Sequence, residues 1–358
     1  MGHVFVMRGD LQALRCDDWL MPCSAGLHVS HAWWMEDLAD ALRAVGAYNH
    51  RRHPRTGRRM GDRPAIPLPV PDGTPRPWLV DTTGSDPERV TARARAFVAE
   101  VAQANLPRVT RRTKRLVALP VVGTGAGGTF HEAGEVLRRL LPALREAATA
   151  HGVDVALVTW EAAQHAAAQA QRSPADFRGL PPALSQAATR LARQALQGRL
   201  VLFLGAGVSM GAGLPDWGAL LTALGHQAGL TAEEMALYQQ KHALDRAEYV
   251  ALRLAQQGRS VGEAVCEVMG HHSHYGLAHG LLAGLPVTES VTTNYDRLFE
   301  KASAAAGRPV AVLPWQPTHR PGPWLLKMHG CLEHPDDIIL TRQNYVRYAV
   351  RNAALAGI

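Results

Sequence analysis

The stretch that most limits how this chain can fold runs from Leu200 to Trp217, LVLFLGAGVSMGAGLPDW. Its opening residues, Leu200 to Leu204, are apolar without polar alternation and end at a glycine. That pattern predicts a short strand buried on both faces of a parallel sheet. Gly205, Ala206 and Gly207 follow, then Ser209, Gly211 and Gly213. Glycine lets main-chain N–H groups come close to a ligand that a Cβ would hold off. A strand, a Gly-rich turn and a helix start form the arrangement that holds a pyrophosphate. The spacing departs from G-x-G-x-x-G, because position 210 is Met and the next glycine comes one residue late.

With 358 residues, 47% hydrophobic and 19% charged, the chain can build two ordinary globular domains. No apolar run approaches the roughly 18–20 residues of a membrane span. The start, MGHVFVMRGDLQAL, lacks a basic segment followed by an apolar one, so no signal peptide is expected. Cys16, Cys23, Cys266 and Cys331 are scattered and form no C-x-x-C pair. Free thiols in a reducing compartment fit that usage, so a cytoplasmic protein without a Cys₄ zinc module is expected. A net charge of +7 permits a nucleic-acid partner. The Arg-rich runs Arg51 to Arg63 and Arg111 to Arg115 carry no aromatic interleaving and read as solvated loops, so nucleic acid is not indicated.

The first half alternates strand and helix. Strands are expected at Val4 to Met7, Trp19 to Met21, near Ile66 to Val70, from Pro77, at Arg115 to Val122 and at Val153 to Trp160. Helices are expected at Glu36 to Val45, Pro87 to Asn105 and His131 to His151, with Asp86 or Ser85 capping the second. Such alternation indicates an α/β domain with a mostly parallel sheet. The fifth strand empties into GTGAGG, Gly123 to Gly128, which has the composition of a phosphate cradle but lacks the Gly-Lys-Ser/Thr of a P-loop.

The opening R-G-D-L and the run L-V-A-L-P-V-V-G-T-G-A-G-G ahead of a helix resemble a macro domain, an ADP-ribose-binding α/β/α module. The resemblance implies a second nucleotide site at Asp10, near the adenine, with Gly123, Thr124, Gly125, Ala126 and Gly127 around the diphosphate. Where such domains carry an Asn-rich stretch this chain has Pro22-Cys23-Ser24-Ala25-Gly26, so binding or sensing of a nucleotide, or a purely structural role, is expected there rather than hydrolysis. A polar helix, Glu161 to Arg172, ends this domain; 173–182 is Pro- and Gly-punctuated and reads as a linker.

From 183 the second domain opens with an amphipathic helix, Ala183 to Gln197, expected to turn Leu184, Ala188, Leu191 and Leu196 inward. Four helices are predicted after the Gly-rich turn: Trp217 to Leu230, Glu233 to Gln240, Arg246 to Gln256 and Val261 to Met269. Thr231 and Glu234 make a capping box for the second of them. His271, His272, His274 and His279 crowd one segment without the partners of a metal site, and read as an exposed helix start. Two further strands end in polar motifs, Thr292-Thr293-Asn294-Tyr295-Asp296 and His329-Gly330. Carboxyl ends of parallel strands are where α/β sheets place ligand contacts.

Taken in order, LVLFLGAGVS, AGLPDW, TTNYDRLFE and LLKMHG resemble the SIR2 superfamily, and in particular its NAD⁺-consuming anti-phage branch in bacteria. The resemblance spans roughly Gln197 to Tyr348 and implies a Rossmann-like fold. By it, Gly205, Ala206, Gly207 and Ser209 hold the phosphates and adenosine side of NAD⁺, Asp216 and Asp296 border the nicotinamide pocket, Trp217 is a further NAD⁺-binding residue, and Asn294 and His329 act at the nicotinamide ribose. Deacetylating sirtuins carry a four-Cys zinc module and an Arg after their Pro-Asp-Phe; Trp217-Gly218 and the lack of zinc cysteines here favour hydrolysis of NAD⁺ to nicotinamide and ADP-ribose, without a metal. The resemblance further implies an effector of anti-phage defence that depletes NAD⁺ under control of the first domain. The final strands of the family fold are not found before Ile358, which leads to the expectation of an oligomer or a completing polypeptide. A non-catalytic nucleotide-binding subunit and an NAD-dependent deacylase stand as the alternatives.

Overall fold

The computed structural model describes residues 1–51, 53–84, 86–123, 133–177, 179–317 and 322–351. They form a mixed α/β protein of two compact units, Met1–Pro182 and Ala183–Ile358. Among the described residues no helix is long and apolar enough to cross a membrane.

The first unit runs β1 (Val4–Arg8), β2 (Asp18–Cys23), α1 (Ala39–Val45), β3 (Ile66–Pro67), β4 (Arg76–Asp81), α2 (Pro87–Gln103), β5 (Leu116–Pro120), α3 (Ala133–His151), β6 (Asp154–Thr159) and α4 (Ala162–Ala170). Its six-stranded sheet has the order β1-β6-β5-β2-β4-β3, parallel except where β3 meets β4. β6 is buried at every position and β5 at all but Pro120, so their apolar runs face packing on both sides. The α2 helix starts where Asp86 accepts a hydrogen bond from the Glu88 N–H and Pro87 takes the first turn. Its residues Val90, Ala94, Phe97, Val98 and Val101 recur at helical spacing and are all buried, in one cluster with Leu137, Leu140 and Leu144 of α3. Burial of a side chain of the Phe97 class stabilises by about 1.5–3 kcal/mol.

At the amino ends of β2 and β5 two adjacent carboxylates are fully buried. Asp17 accepts four hydrogen bonds, from the N–H groups of Val109, Thr110 and Leu116 at 2.7 Å each and from the Thr110 hydroxyl at 2.8 Å. Asp18 accepts from the Trp78 indole N–H at 2.8 Å and pairs with Arg115. Desolvation of Asp18 raises its pKa against the lowering pull of Trp78 and Arg115.

The second unit comprises α5 (Pro182–Leu196), which opens at the boundary, β7 (Val201–Leu204), α6 (Ala206–Met210), α7 (Trp217–Gln227), α8 (Ala232–Gln239), α9 (Ala243–Gln256), α10 (Val261–Met269), α11 (Leu277–Ala283), β8 (Glu289–Thr292), α12 (Leu298–Ala305), β9 (Ala311–Leu313), β10 (Trp324–Lys327) and α13 (Arg342–Arg351). Its four-stranded sheet is wholly parallel, in the order β7-β8-β10-β9. Helices α7 to α10 fall where apolar periodicity predicts them, and the Thr231–Glu234 capping box is formed in both directions.

Two expectations about burial are corrected. β7 lies at the sheet edge, with Val201 49% and Phe203 67% exposed and only Leu204 buried. An apolar run reports what a strand can bury, and a neighbour on each face is still needed to bury it. Likewise α5 forms, but Leu184, Ala188, Leu191 and Leu196 are exposed and Ala195 is the buried position.

Candidate functional site

Three parallel strands bring three motifs together. Leu204 of β7, Thr292 of β8 and Lys327 of β10 sit side by side in register. The residues just beyond them therefore share the carboxyl edge of the sheet: the turn at Gly205, the segment Thr293 to Asp296, and His329. A cavity of about 490 Å³ lies there. Its polar wall includes Ser209, Asn294, Asp296 and His329, and its apolar wall includes Trp217, Leu220, Leu244 and Met269 from the helices.

Asn294 is held from several directions. Its backbone N–H donates to the Thr292 hydroxyl at 3.0 Å, and that hydroxyl donates to the Leu204 carbonyl at 3.1 Å. Its side-chain Nδ2 donates to the Gly205 carbonyl and to Ser209 Oγ, both at 3.0 Å. A carbonyl can only accept, so the NH₂ group faces Gly205 and both of its hydrogens are used. The carboxamide oxygen is what remains for a ligand.

Ser209 is buried, and its hydroxyl donates to Asp296 Oδ2 at 2.8 Å. Asp296 Oδ1 accepts from the Leu298 N–H at 2.9 Å, which fixes the entry to α12. Asp296 thus lines the cavity with its two carboxylate oxygens already engaged. Its carbonyl accepts from Lys327 Nζ, and that fully buried ammonium pairs with Glu300 at 3.0 Å. Tyr295, between Asn294 and Asp296, is buried and donates its hydroxyl to the Ile339 carbonyl at 2.8 Å.

His329 is half-buried, and burial lowers its pKa below the ordinary imidazole value. At neutral pH the ring is therefore uncharged and able to take a proton. The Tyr345 hydroxyl stands 3.5 Å from its Nε2, at the outer limit of a hydrogen bond, and the two rings meet edge to face. Gly330 follows with φ 93°, and a Cβ there would stand 2.6 Å from the Asp337 carbonyl oxygen. Only glycine lets the chain turn away from His329 along this path.

Of the residues the sequence singled out, Ala206, Ser209, Asp216, Trp217, Asn294, Asp296 and His329 line this one cavity. Gly205 contributes its carbonyl to Asn294 and Gly207 lies in α6; among the described residues, nothing beyond the adjoining residues and the helix's own backbone stands within 4 Å of where a Cβ would sit on either glycine. Asp216 caps α7, accepting from the Ala219 N–H at 2.7 Å. Sequence reasoning missed Tyr345 as a wall of the site. It also misread His279, which is 1% exposed and reaches Ser209. A signal was present: His279 is the one polar residue in the otherwise apolar run Gly276 to Gly284, which is how a buried helical position looks. Among the described residues no cluster of His, Cys, Asp and Glu is placed to hold a metal ion.

Residues 288–357 match the family model described as SIR2-like domain. The C-terminal region holds a SIR2-like domain. The chain is 26% identical over 165 residues to the NAD(+) hydrolase ThsA of Bacillus cereus, a match covering 44% of this chain and 33% of that protein. It is 28% identical over 178 residues to the NAD(+) hydrolase ThsA of Acinetobacter baumannii, covering 47% of this chain and 36% of that protein. The matched stretch thus spans about a third of the length of these curated relatives. Among solved structures, the Trypanosoma brucei macrodomain in complex with ADP-ribose aligns with a TM-score of 0.35 and 13% identity, covering 47% of this chain and 68% of that one.

In the first unit, Asp10 Oδ1 accepts from the Gln12 N–H at 2.9 Å and so shapes its own turn. Gly123 has φ 75°; Thr124, Gly125, Ala126 and Gly127 lie outside the described residues. Just past the carboxyl end of β6 stands Trp160, 67% exposed, its carbonyl 3.4 Å from Arg8 Nε.

Proposed function

We propose that the second unit hydrolyses NAD⁺ to nicotinamide and ADP-ribose. The observation that carries this reading is the locked carboxamide of Asn294, which shares one cavity with a neutral His329. Cleavage of the nicotinamide–ribose bond builds positive, oxocarbenium-like charge at C1′. Nicotinamide leaves as a neutral molecule, so the site needs no acid for the leaving group. What it needs is a dry pocket for the base and a polar hand on the ribose and the attacking water. The wall of Trp217, Leu220, Leu244 and Met269 supplies the first. The Asn294 carboxamide oxygen accepts from a ribose hydroxyl or the water, and His329 takes the proton released as the water adds. The Gly205–Gly207 turn leaves room for the phosphates.

In this reading NAD⁺ is a substrate, no metal takes part, and the protein serves bacterial defence by depleting NAD⁺. Relatives 26% and 28% identical to part of this chain are named as NAD(+) hydrolases, which supports the reading. The first unit is proposed to sense an ADP-ribose-like ligand and to restrain the hydrolase until it binds. An exposed indole at the carboxyl end of a parallel sheet is a surface on which a base can stack, and Trp160 supports that role.

The test is nicotinamide release from NAD⁺ by the purified chain, with Asn294→Ala and His329→Ala alongside. Turnover in the parent and its loss in both variants is expected. A parent that binds NAD⁺ and releases no nicotinamide, with or without ADP-ribose, leaves a non-catalytic binding subunit instead. Calorimetric titration of the full chain with ADP-ribose, beside Asp10→Ala and Trp160→Ala, checks the sensor; unchanged binding in both variants removes it.

A further inference from the structure

We propose that His279 is a positioning residue for Asn294, acting through the hydroxyl of Ser209; the catalytic part of this inference rests on the hydrolase reading above. His279 lies in the first turn of α11 and is buried, outside every motif of the site. Its Nδ1 accepts a hydrogen bond from the Gly276 backbone N–H at 3.2 Å. A backbone N–H can only donate, so Nδ1 carries the lone pair and the ring proton sits on Nε2. That Nε2 is 3.3 Å from Ser209 Oγ and must donate to it.

The hydroxyl of Ser209 is then fully accounted for. It has one hydrogen, given to Asp296, and two acceptor positions, taken by His279 Nε2–H and Asn294 Nδ2–H. Each partner forces the next: Asp296 accepts only, so Ser209 must donate to it, which leaves Ser209 to accept from the other two. His279 fills the second acceptor position and so removes the freedom of the hydroxyl to swing from Asn294. The carboxamide is thereby fixed with its oxygen available to the substrate.

The same bookkeeping excludes a more familiar arrangement. Serine, histidine and aspartate within hydrogen-bonding reach invite comparison with a nucleophilic triad, in which the carboxylate orients the imidazole and the imidazole takes the serine proton. Here the carboxylate touches the serine directly, and the imidazole presents Ser209 with a proton rather than a lone pair. Ser209 is a hub and not a nucleophile. Burial supports the neutral tautomer, pushing the His279 pKa down to about 4 against the raising pull of Asp296.

The experiment compares His279→Gln, His279→Leu, Ser209→Ala and the double variant His279→Leu/Ser209→Ala in the full chain. Glutamine keeps an N–H donor at about the reach of Nε2; leucine keeps bulk and removes the donor. His279→Leu is expected to lower kcat by about fivefold to tenfold with KM little changed, the loss of one neutral hydrogen bond. His279→Gln restores most of it, and the double variant is no slower than Ser209→Ala alone. Equal losses in Gln and Leu, or additive losses in the double variant, overturn the proposal. A readout that needs no turnover separates it from the hydrolase reading. In nitrogen-15 NMR the His279 ring is expected as the Nε2–H tautomer, untitrated from about pH 8 to about pH 5.5. The Asn294 side-chain NH₂ signals are expected to shift in His279→Leu and to return in His279→Gln. If the parent releases no nicotinamide, the hydrolase reading falls, and these signals alone decide whether His279 positions Asn294; Asn294 signals indifferent to both variants sink it.

Discussion

Both units bury acidic side chains in hydrogen-bond networks at the ends of parallel strands, and they do so at opposite ends. In the first unit Asp17 and Asp18 sit at the amino ends of β2 and β5; Asp17 is saturated by three backbone N–H groups and a hydroxyl, and Asp18 is held by an indole and Arg115. In the second, Asp296, Ser209, His279 and Asn294 sit past the carboxyl ends of β7 and β8 and line or adjoin a cavity. The first network closes on itself. Among the described residues, the second leaves an acceptor beside the cavity, the Asn294 carboxamide oxygen, to be met by something else. A buried acid alone therefore says little about function. The end of the sheet it occupies, and whether its network leaves an atom unspent beside a cavity, say much more.

The largest expected effect tests the closed network. Asp17→Ala strips the partner from four donors, three of them backbone N–H groups, and each buried donor left unpaired costs about 1–3 kcal/mol. A loss of at least about 4 kcal/mol is expected, a large part of what holds a domain folded. Calorimetric unfolding measures it. A melting temperature lowered by less than about 2 °C would show that the Asp17 network is dispensable and would erase its side of the contrast.

The open network should behave the other way. Asn294→Ala is expected to cut nicotinamide release by about 10²–10³-fold, the scale of losing one preorganised polar contact to the transition state. Unfolding should move little, because Asn294 lines a cavity and is only half-buried. A variant that unfolds easily yet turns over normally when folded would make the two networks alike.

How much of this could be read in the sequence follows the same division. Strand and helix positions were legible because periodicity and caps are local: Asp86 before Pro87, and Thr231 three residues before Glu234, mark helix starts directly. The strand-end motifs were legible because Asn294 and His329 each closely follow a short strand, and their order carries a family resemblance. Burial was less so. Phe203 and Leu191 are apolar in pattern and exposed in fact, since sequence shows the demand for a neighbour but not its presence. His279 was hidden among His271, His272 and His274, and its partner Ser209 is 70 residues away.

Acid provides the next smaller effect. His279 has its pKa lowered to about 4 in the folded protein by burial, against an ordinary value of 6.5. Between those values the unfolded chain binds a proton that the folded chain refuses, so stability rises with pH. The contribution of His279 is complete above about pH 6.5 and is lost progressively as pH falls toward about 4, up to about 3 kcal/mol in all. Urea unfolding across that range, in the parent and in His279→Gln, reads it; a variant with the same acid sensitivity as the parent removes His279 as its source. The pH dependence of turnover is expected to have the same sign for a different reason: in the proposed hydrolysis a neutral His329 is the base, so activity should fall as its lowered pKa is approached from above.

The smallest effect is expected at the second unit's edge strand. Phe203 is 67% exposed, so replacing it by serine removes little packing. Phe203→Ser should change stability by no more than about 0.5 kcal/mol, the range of ordinary surface substitutions. The first unit offers no comparable position on β5 or β6, where the strands are buried on both faces. A cost above about 1 kcal/mol would mean that the face of β7 is covered in solution. The second unit would then resemble the first in closing over its sheet, and its openness would be confined to the cavity at the strand ends.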